Sequence, residues 1–311
     1  ILVWSADRFV EGAAALAQLM GVSVMIIGIT VVGFGTSAPE IVVSIIAVLN
    51  DTPDLAIGNA LGSNIANIGL ILGVTAILVP VPVVTRLFKT EYPLLLIATA
   101  VMGWALYDSS LAFYDGLLLI GLLFFSLYYL IHVHRKHPAD YAREEQDSGE
   151  VVQEMSFPVA FGWLLLGLVL LVGSSKMLVW GASNIALSLG VSELIIGLTI
   201  VALGTSLPEL AASIASLKKG QPDLAIGNVI GSNLFNSLAV IGLPALFTEF
   251  SIDEMARSRD LPIVIGLTLT LLLMSRFPTA GPRFLTRSKG IVLFSAFVIY
   301  QLYLYYEVAS V

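Results

Sequence analysis

GVSVMIIGITVVGFGTSAPEIVVSI, residues 21–45, returns 169 positions later as GVSELIIGLTIVALGTSLPELAASI, residues 190–214. The likeness continues without a gap through DLAIGNALGSNIANIGLILG at 54–73 and DLAIGNVIGSNLFNSLAVIG at 223–242, so that 27 of 53 aligned positions are identical. A match of that length at a single offset means that one structural unit occurs twice in the chain. Both copies are apolar apart from a few polar positions, which recur in the same places.

The whole chain shares this character. Its 311 residues are 57% hydrophobic and 12% charged, with a mean hydropathy of +0.93, which is too apolar for a surface that faces only water. Apolar stretches of bilayer length are read at 1–20, 22–49, 53–79, 88–107, 111–131, 157–188, 192–217, 222–247, 259–276 and 286–306. Runs such as LLLIATAVMGWAL have no period of two, which excludes a barrel. The expected fold is therefore an all-α integral membrane protein of about ten transmembrane helices.

Five spans per unit make the second unit enter the bilayer in the opposite sense, giving two inverted five-helix repeats. Residues 1–131 form the first repeat and 157–311 the second, with a charged cytoplasmic linker at 132–156. With the N-terminus outside, the loops after the odd-numbered spans are cytoplasmic, and these hold eleven Lys and Arg against two, Arg257 and Arg259, on the other side. That is the bias expected for cytoplasmic loops, and it places both termini outside the cytoplasm in a multi-pass protein of the cell (inner) membrane. Ile1 aligns with Leu170, whereas the sixth span begins near Phe157, so the first span is expected to be truncated.

Composition also limits partners. Without cysteine there is no thiolate metal site and no thiol nucleophile. A formal charge of −7 and the lack of a basic face argue against nucleic acid. No organic cofactor and no obligate protein partner are indicated, and the lipid bilayer is the expected surrounding.

A charge at the centre of a membrane helix costs about 2.5–3.5 kcal/mol even on insertion scales, so it needs a partner or a function. Glu40 and Glu209 are such charges, at matching positions of the two repeats. An in-plane two-fold axis brings them face to face, and two facing carboxylates repel unless a cation lies between them. The donors nearby are oxygens, which suits a hard cation such as calcium. Thr36 and Ser37 share a helical face with Glu40, as Thr205 and Ser206 do with Glu209.

Pro39 and Pro208, each near a glycine, are expected to break their helices and to free the carbonyls of Gly33 and Ala202. In the next span Ser63, Asn64 and Asn67 form one polar stripe, repeated by Ser232, Asn233 and Asn236. Small polar residues in membrane helices also serve close packing. Asp54 and Asp223 read as first-turn acids. His132, His134 and His137 read as solvated or headgroup-facing rather than as a metal cluster. Asp7 and Lys176 occupy matching positions with opposite charge, which suits a salt bridge.

GTSAPE with GSNIAN, and GTSLPE with GSNLFN, resemble the two alpha repeats of the calcium/cation antiporter superfamily, in its sodium/calcium exchanger branch of prokaryotic type. The resemblance implies a secondary active antiporter, not an enzyme, that carries Ca2+ and Na+ by alternating access. It implies a calcium site of Glu40, Glu209 and the carbonyls of Thr36 and Thr205. Flanking sodium sites would use Ser37, Ser63 and the Gly33 carbonyl on one side, and Ser206, Ser232 and the Ala202 carbonyl on the other, with Asn67 and Asn236 completing the centre. Potassium-dependent members carry Asp where this chain has Asn236.

Three further readings stay open at this level. Calcium could be coupled to protons, with the two glutamates titrating as a pair. The glutamates could form a channel constriction, though channel rings arise from symmetry about the pore. They could serve an intramembrane hydrolase, though no His or nucleophile stands beside them.

Overall fold

The computed structural model describes residues 1–83, 85–108, 110–136, 154–189, 204, 206–276 and 283–309. Among these, ten helical rods follow in order. They are α1 (Leu2–Met20), α2 (Val24–Leu49), α3 (Pro53–Leu78), α4 (Glu91–Ala105), α5 (Phe113–Lys136), α6 (Phe157–Ser188), α7 (Leu207–Lys218), α8 (Pro222–Ala245), α9 (Ala256–Arg276) and α10 (Arg287–Ala309). Seven of them, α2, α3, α5, α6, α8, α9 and α10, are long and apolar enough to cross a membrane, and α4 is a shorter apolar helix. The chain is an all-α membrane protein.

The ends of the rods follow local rules. The Ser23 hydroxyl accepts from the Ile26 amide at 3.3 Å and caps α2, satisfying one of the amides that a helix start leaves open. Proline opens α3 and α8, with Asp54 and Asp223 in the first turn, where an acid complements the helix dipole. Asp51 and Gly220 both have positive φ, 59° and 69°, in the turns that follow α2 and α7. These positions are 169 residues apart, so the repeat extends to a strained turn.

One expectation needs correction. α2 is not broken at Pro39, because residues Gly33–Leu49 are α-helical with Pro39 inside. The irregularity lies about two turns earlier, in a π-helical segment at Gly28–Val32, and α3 and α8 carry similar segments at Asn67–Leu72 and Asn236–Val240. A π turn accommodates one extra residue without ending the helix, and such turns gather at functional sites. α5 continues to Lys136.

Two short antiparallel ribbons clamp the bundle. β1 (Val81–Pro82) pairs with β4 (Phe284–Leu285), and β2 (Ser110–Leu111) pairs with β3 (Phe250–Ser251). β1 precedes α4 and β2 follows it, whereas β3 precedes α9 and β4 follows it. The ribbons therefore tie α4 and α9 together at both ends as an antiparallel pair. The Tyr92 and Ser275 hydroxyls, 2.8 Å apart, hold the same pair near the β1–β4 end.

Apolar packing divides into two clusters. The larger joins α3, α4, α5, α8, α9 and α10 with parts of α2, and α8 lies at its centre with its span wholly buried. The smaller joins α1 and α6 to the starts of α2 and α8 and to α7. α1 and α6 meet through glycine. A Cβ at Gly12 would lie 2.4 Å from the Leu164 amide nitrogen, and one at Gly167 2.5 Å from that of Phe9. Such backbone contact, made where no side chain intervenes, is how membrane helices associate closely.

His134 departs from its expected solvated role. It is buried, and its Nε2 accepts from the Ser23 amide at 3.2 Å, fastening the end of α5 to the α1–α2 turn. His132 is exposed and stacks on Tyr128, while His137 lies outside the described residues.

Candidate ion site

The two repeat helices that carry GTSAPE and GSNLFN, α2 and α8, cross in contact. A Cβ at Gly231 would lie 2.3 Å from the Ile29 carbonyl oxygen, so only glycine admits this approach. The contact brings Thr36 against α8. Its Oγ1 lies 3.2 Å from Asn228 Oδ1 and 3.2 Å from Ser232 Oγ, and it donates back to the Val32 carbonyl at 3.1 Å. α3 meets α8 through amides, with Asn67 Nδ2 donating to Asn233 Oδ1 at 3.2 Å and Asn64 Nδ2 to Ser237 Oγ at 2.9 Å.

Glu40 on α2 and Glu209 in the first turn of α7 are each only 2% exposed. Asn228 connects the two, since its side chain bonds both Thr36 Oγ1, one turn before Glu40, and the Glu209 carbonyl. Both glutamates are held by their main chains in the same way. Asn59 Nδ2 donates to the Glu40 carbonyl at 3.2 Å and to Ser44 Oγ at 3.1 Å, and Asn228 Nδ2 donates to the Glu209 carbonyl at 3.2 Å and to Ser213 Oγ at 3.1 Å.

Ser37, Ser63, Asn67, Ser206, Ser232 and Asn236 are also buried. The Gly33 carbonyl accepts a long bond of 3.4 Å from Thr36 Oγ1. Ala202 and Thr205 lie outside the described residues. Among the described residues, Ser37 Oγ, Glu40 Oε2, Glu209 Oε2 and Asn236 Oδ1 are buried with no hydrogen-bond partner. Buried polar atoms are normally paired, and an unpaired one costs about 1–3 kcal/mol, so an interior set of unpaired oxygens calls for a ligand. No three His, Cys, Asp or Glu side chains converge among the described residues. The donor set is two carboxylates with neutral oxygens, which suits hard cations.

A cavity of ≈360 Å³ opens onto Glu40 and is lined further by Pro39, Asn59, Lys176, Trp180 and Pro208. Lys176 thus shares a cavity with Glu40. Asp7 approaches Lys219 at 4.0 Å, and Glu11 binds the same ammonium at 2.8 Å. The salt bridge expected between Asp7 and Lys176 does not form: Phe9 of α1 packs against Gly167 of α6, nine residues before Lys176.

Asn59, Asn228, Ser44 and Ser213 escaped the reading of the sequence. Asn59, Ser63 and Asn67 stand four residues apart, as do Asn228, Ser232 and Asn236, so helical spacing was the signal that could have added both asparagines to the polar stripe.

The family described as sodium/calcium exchanger protein matches residues 1–132 and 159–306. The chain belongs to that sodium/calcium exchanger family. It is 40% identical to the inner membrane protein YrbG of Escherichia coli (strain K12), over 98% of this chain and 94% of YrbG. It is 31% identical to the sodium/calcium exchanger MaX1 of Methanosarcina acetivorans, over 98% of this chain and 95% of MaX1. A solved structure of the sodium-calcium exchanger NCX_Mj, soaked with zero Na+ and Ca2+, superposes with a TM-score of 0.80 at 30% identity, covering 96% of this chain and 93% of that one. This exchanger is thus a membrane antiporter for ions, of a family that transports Ca2+ and Na+.

Proposed function

We propose that the chain exchanges sodium for calcium by alternating access, with Glu40 and Glu209 as the ligands both ions share. The observation that carries this reading is the buried set of unpartnered oxygens, Ser37 Oγ, Glu40 Oε2, Glu209 Oε2 and Asn236 Oδ1. A divalent cation between the two carboxylates neutralises both. Serine and asparagine oxygens add neutral ligands for sodium without further charge. Because the two ions compete for the same carboxylates, binding of one releases the other, and exchange follows.

The ligand set we assign is Glu40, Glu209 and the Thr36 and Thr205 carbonyls for calcium. For sodium it is Ser37, Ser63 and the Gly33 carbonyl on one side, and Ser206, Ser232 and the Ala202 carbonyl on the other, with Asn67 and Asn236 at the centre. The burial of every member that is described supports the assignment.

The architecture behind it is two inverted repeats of five spans, residues 1–131 and 157–311, with the chain in the cell (inner) membrane and both termini outside the cytoplasm. Three features support this: the antiparallel pairing of α4 with α9, which stand at matching positions of the repeats, the swapped ribbons β1–β4 and β2–β3, and the twin asparagine clamps on Glu40 and Glu209. The separate apolar cluster of α1 and α6 supports a moving pair that slides past a fixed core and exposes the site alternately.

Proteoliposomes loaded with sodium test the coupling ion. An outward sodium gradient is expected to drive calcium-45 uptake at fixed pH. Uptake that follows a pH gradient and ignores sodium would instead make the chain a proton/calcium antiporter.

A further inference from the structure

Lys176 is no ligand for a cation, yet it belongs to the apolar span of α6, six residues from the end of that span at Ala182. A charge inside a membrane span points into a cavity or serves a function. Lys176 lines the ≈360 Å³ cavity together with Glu40, Asn59 and Pro208. Among the described residues it forms no ion pair, so nothing there fixes the ammonium elsewhere. The matching position in the first repeat carries an acid, Asp7, so this charge belongs to one side of the site only.

We propose that Lys176 is a tethered cation that competes with the transported ions for Glu40 and so sets the affinity and valence preference of the site. With the transported cation bound, the ammonium repels it. With the site empty, the ammonium approaches Glu40 and relieves the repulsion between the two carboxylates, so that the unloaded transporter closes at a lower cost. The inference rests on the exchanger reading, because it needs Glu40 to be a cation ligand.

The Coulomb energy is linear in the charge of the bound ion. Removing the ammonium therefore tightens a divalent ion by the square of the factor for a monovalent one. Equilibrium binding of calcium-45 and sodium-22 to the purified full chain reads this directly. Lys176→Met and Lys176→Gln are expected to bind sodium about threefold and calcium about tenfold more tightly, while Lys176→Arg, which keeps the charge, stays near the original values. A merely structural lysine would give no such dependence on valence and no recovery with arginine. Calcium affinity that is unchanged or weaker in both neutral variants, or that shifts by the same factor as sodium, overturns the inference and leaves the exchanger reading standing. An unaltered chain that binds neither ion would overturn the exchanger reading, and this inference with it.

Discussion

Asn228 donates through Nδ2 to the main-chain carbonyl of Glu209 at 3.2 Å, and so holds the turn that carries the second carboxylate. The same side chain bonds Ser213 Oγ at 3.1 Å and, through Oδ1, accepts from Thr36 Oγ1 at 3.2 Å. One residue of α8 therefore links the helices of both glutamates. Asn59 makes the corresponding bonds to Glu40 and Ser44 but is only half-buried.

Replacing Asn228 with alanine removes its bonds to the Glu209 carbonyl, Ser213 Oγ and Thr36 Oγ1, although Thr36 keeps the Val32 carbonyl. Each buried hydrogen bond contributes about 0.5–1.5 kcal/mol, so Asn228→Ala is expected to melt well below the unaltered protein and to lose most of its exchange. Asn59→Ala, with two partners and more exposure, is expected to fall less on both counts. Thermal melting of the purified variants, read beside calcium uptake, checks the order. Equal losses would contradict the bridging role given to Asn228.

Gly231 is where α8 touches α2, with the Ile29 carbonyl 2.3 Å from the place a Cβ would occupy. Gly231→Ala is expected to push the helices apart at a cost of about 1–3 kcal/mol, the usual range for overpacking. Gly266 on α9 is exposed and has nothing within 4 Å of that place. There alanine is expected to be neutral or to stabilise by up to about 1 kcal/mol through helix propensity. Paired melting curves decide the comparison.

Much of this arrangement is legible in the amino-acid sequence. Glu40 and Glu209 stand out because a carboxylate in an apolar span is costly, and the repeat makes them equivalents. The helix ends are legible too, since proline with a following acid opens α3 and α8. The π-helical turns are not. An inserted residue in a helix has no composition rule of its own, whereas Pro39 points to a break that α2 does not make. His134 misleads in the same way: HVHRKH looks solvated along the chain, and only the fold brings Ser23 beneath it. Pairings such as Asn67 with Asn233 depend on which helices cross, and one sequence read along its length does not contain that.

The ion pair between Glu11 and Lys219 at 2.8 Å joins α1 to the end of α7. If α1 and α6 move together past the core, this contact is made in one access state and broken in the other. The chain has no cysteine, so Glu11→Cys with Lys219→Cys gives a clean pair for a short bifunctional thiol reagent whose link is reducible. Cross-linking is expected to stop calcium uptake, and reduction to restore it. Uptake that proceeds at full rate with the link in place would rule out sliding of α1 against α7.

The central claim is that Glu40 and Glu209 together hold the transported cation. The most direct measurement is sodium-driven calcium-45 uptake into proteoliposomes by the unaltered chain, Glu40→Gln and Glu209→Gln. Glutamine keeps the shape of each side chain and removes its charge. Uptake is expected to fall to the level of empty liposomes in both variants, with their melting temperatures held or raised as a buried charge is lost. Sodium-driven uptake that survives either substitution would contradict the paired-carboxylate site.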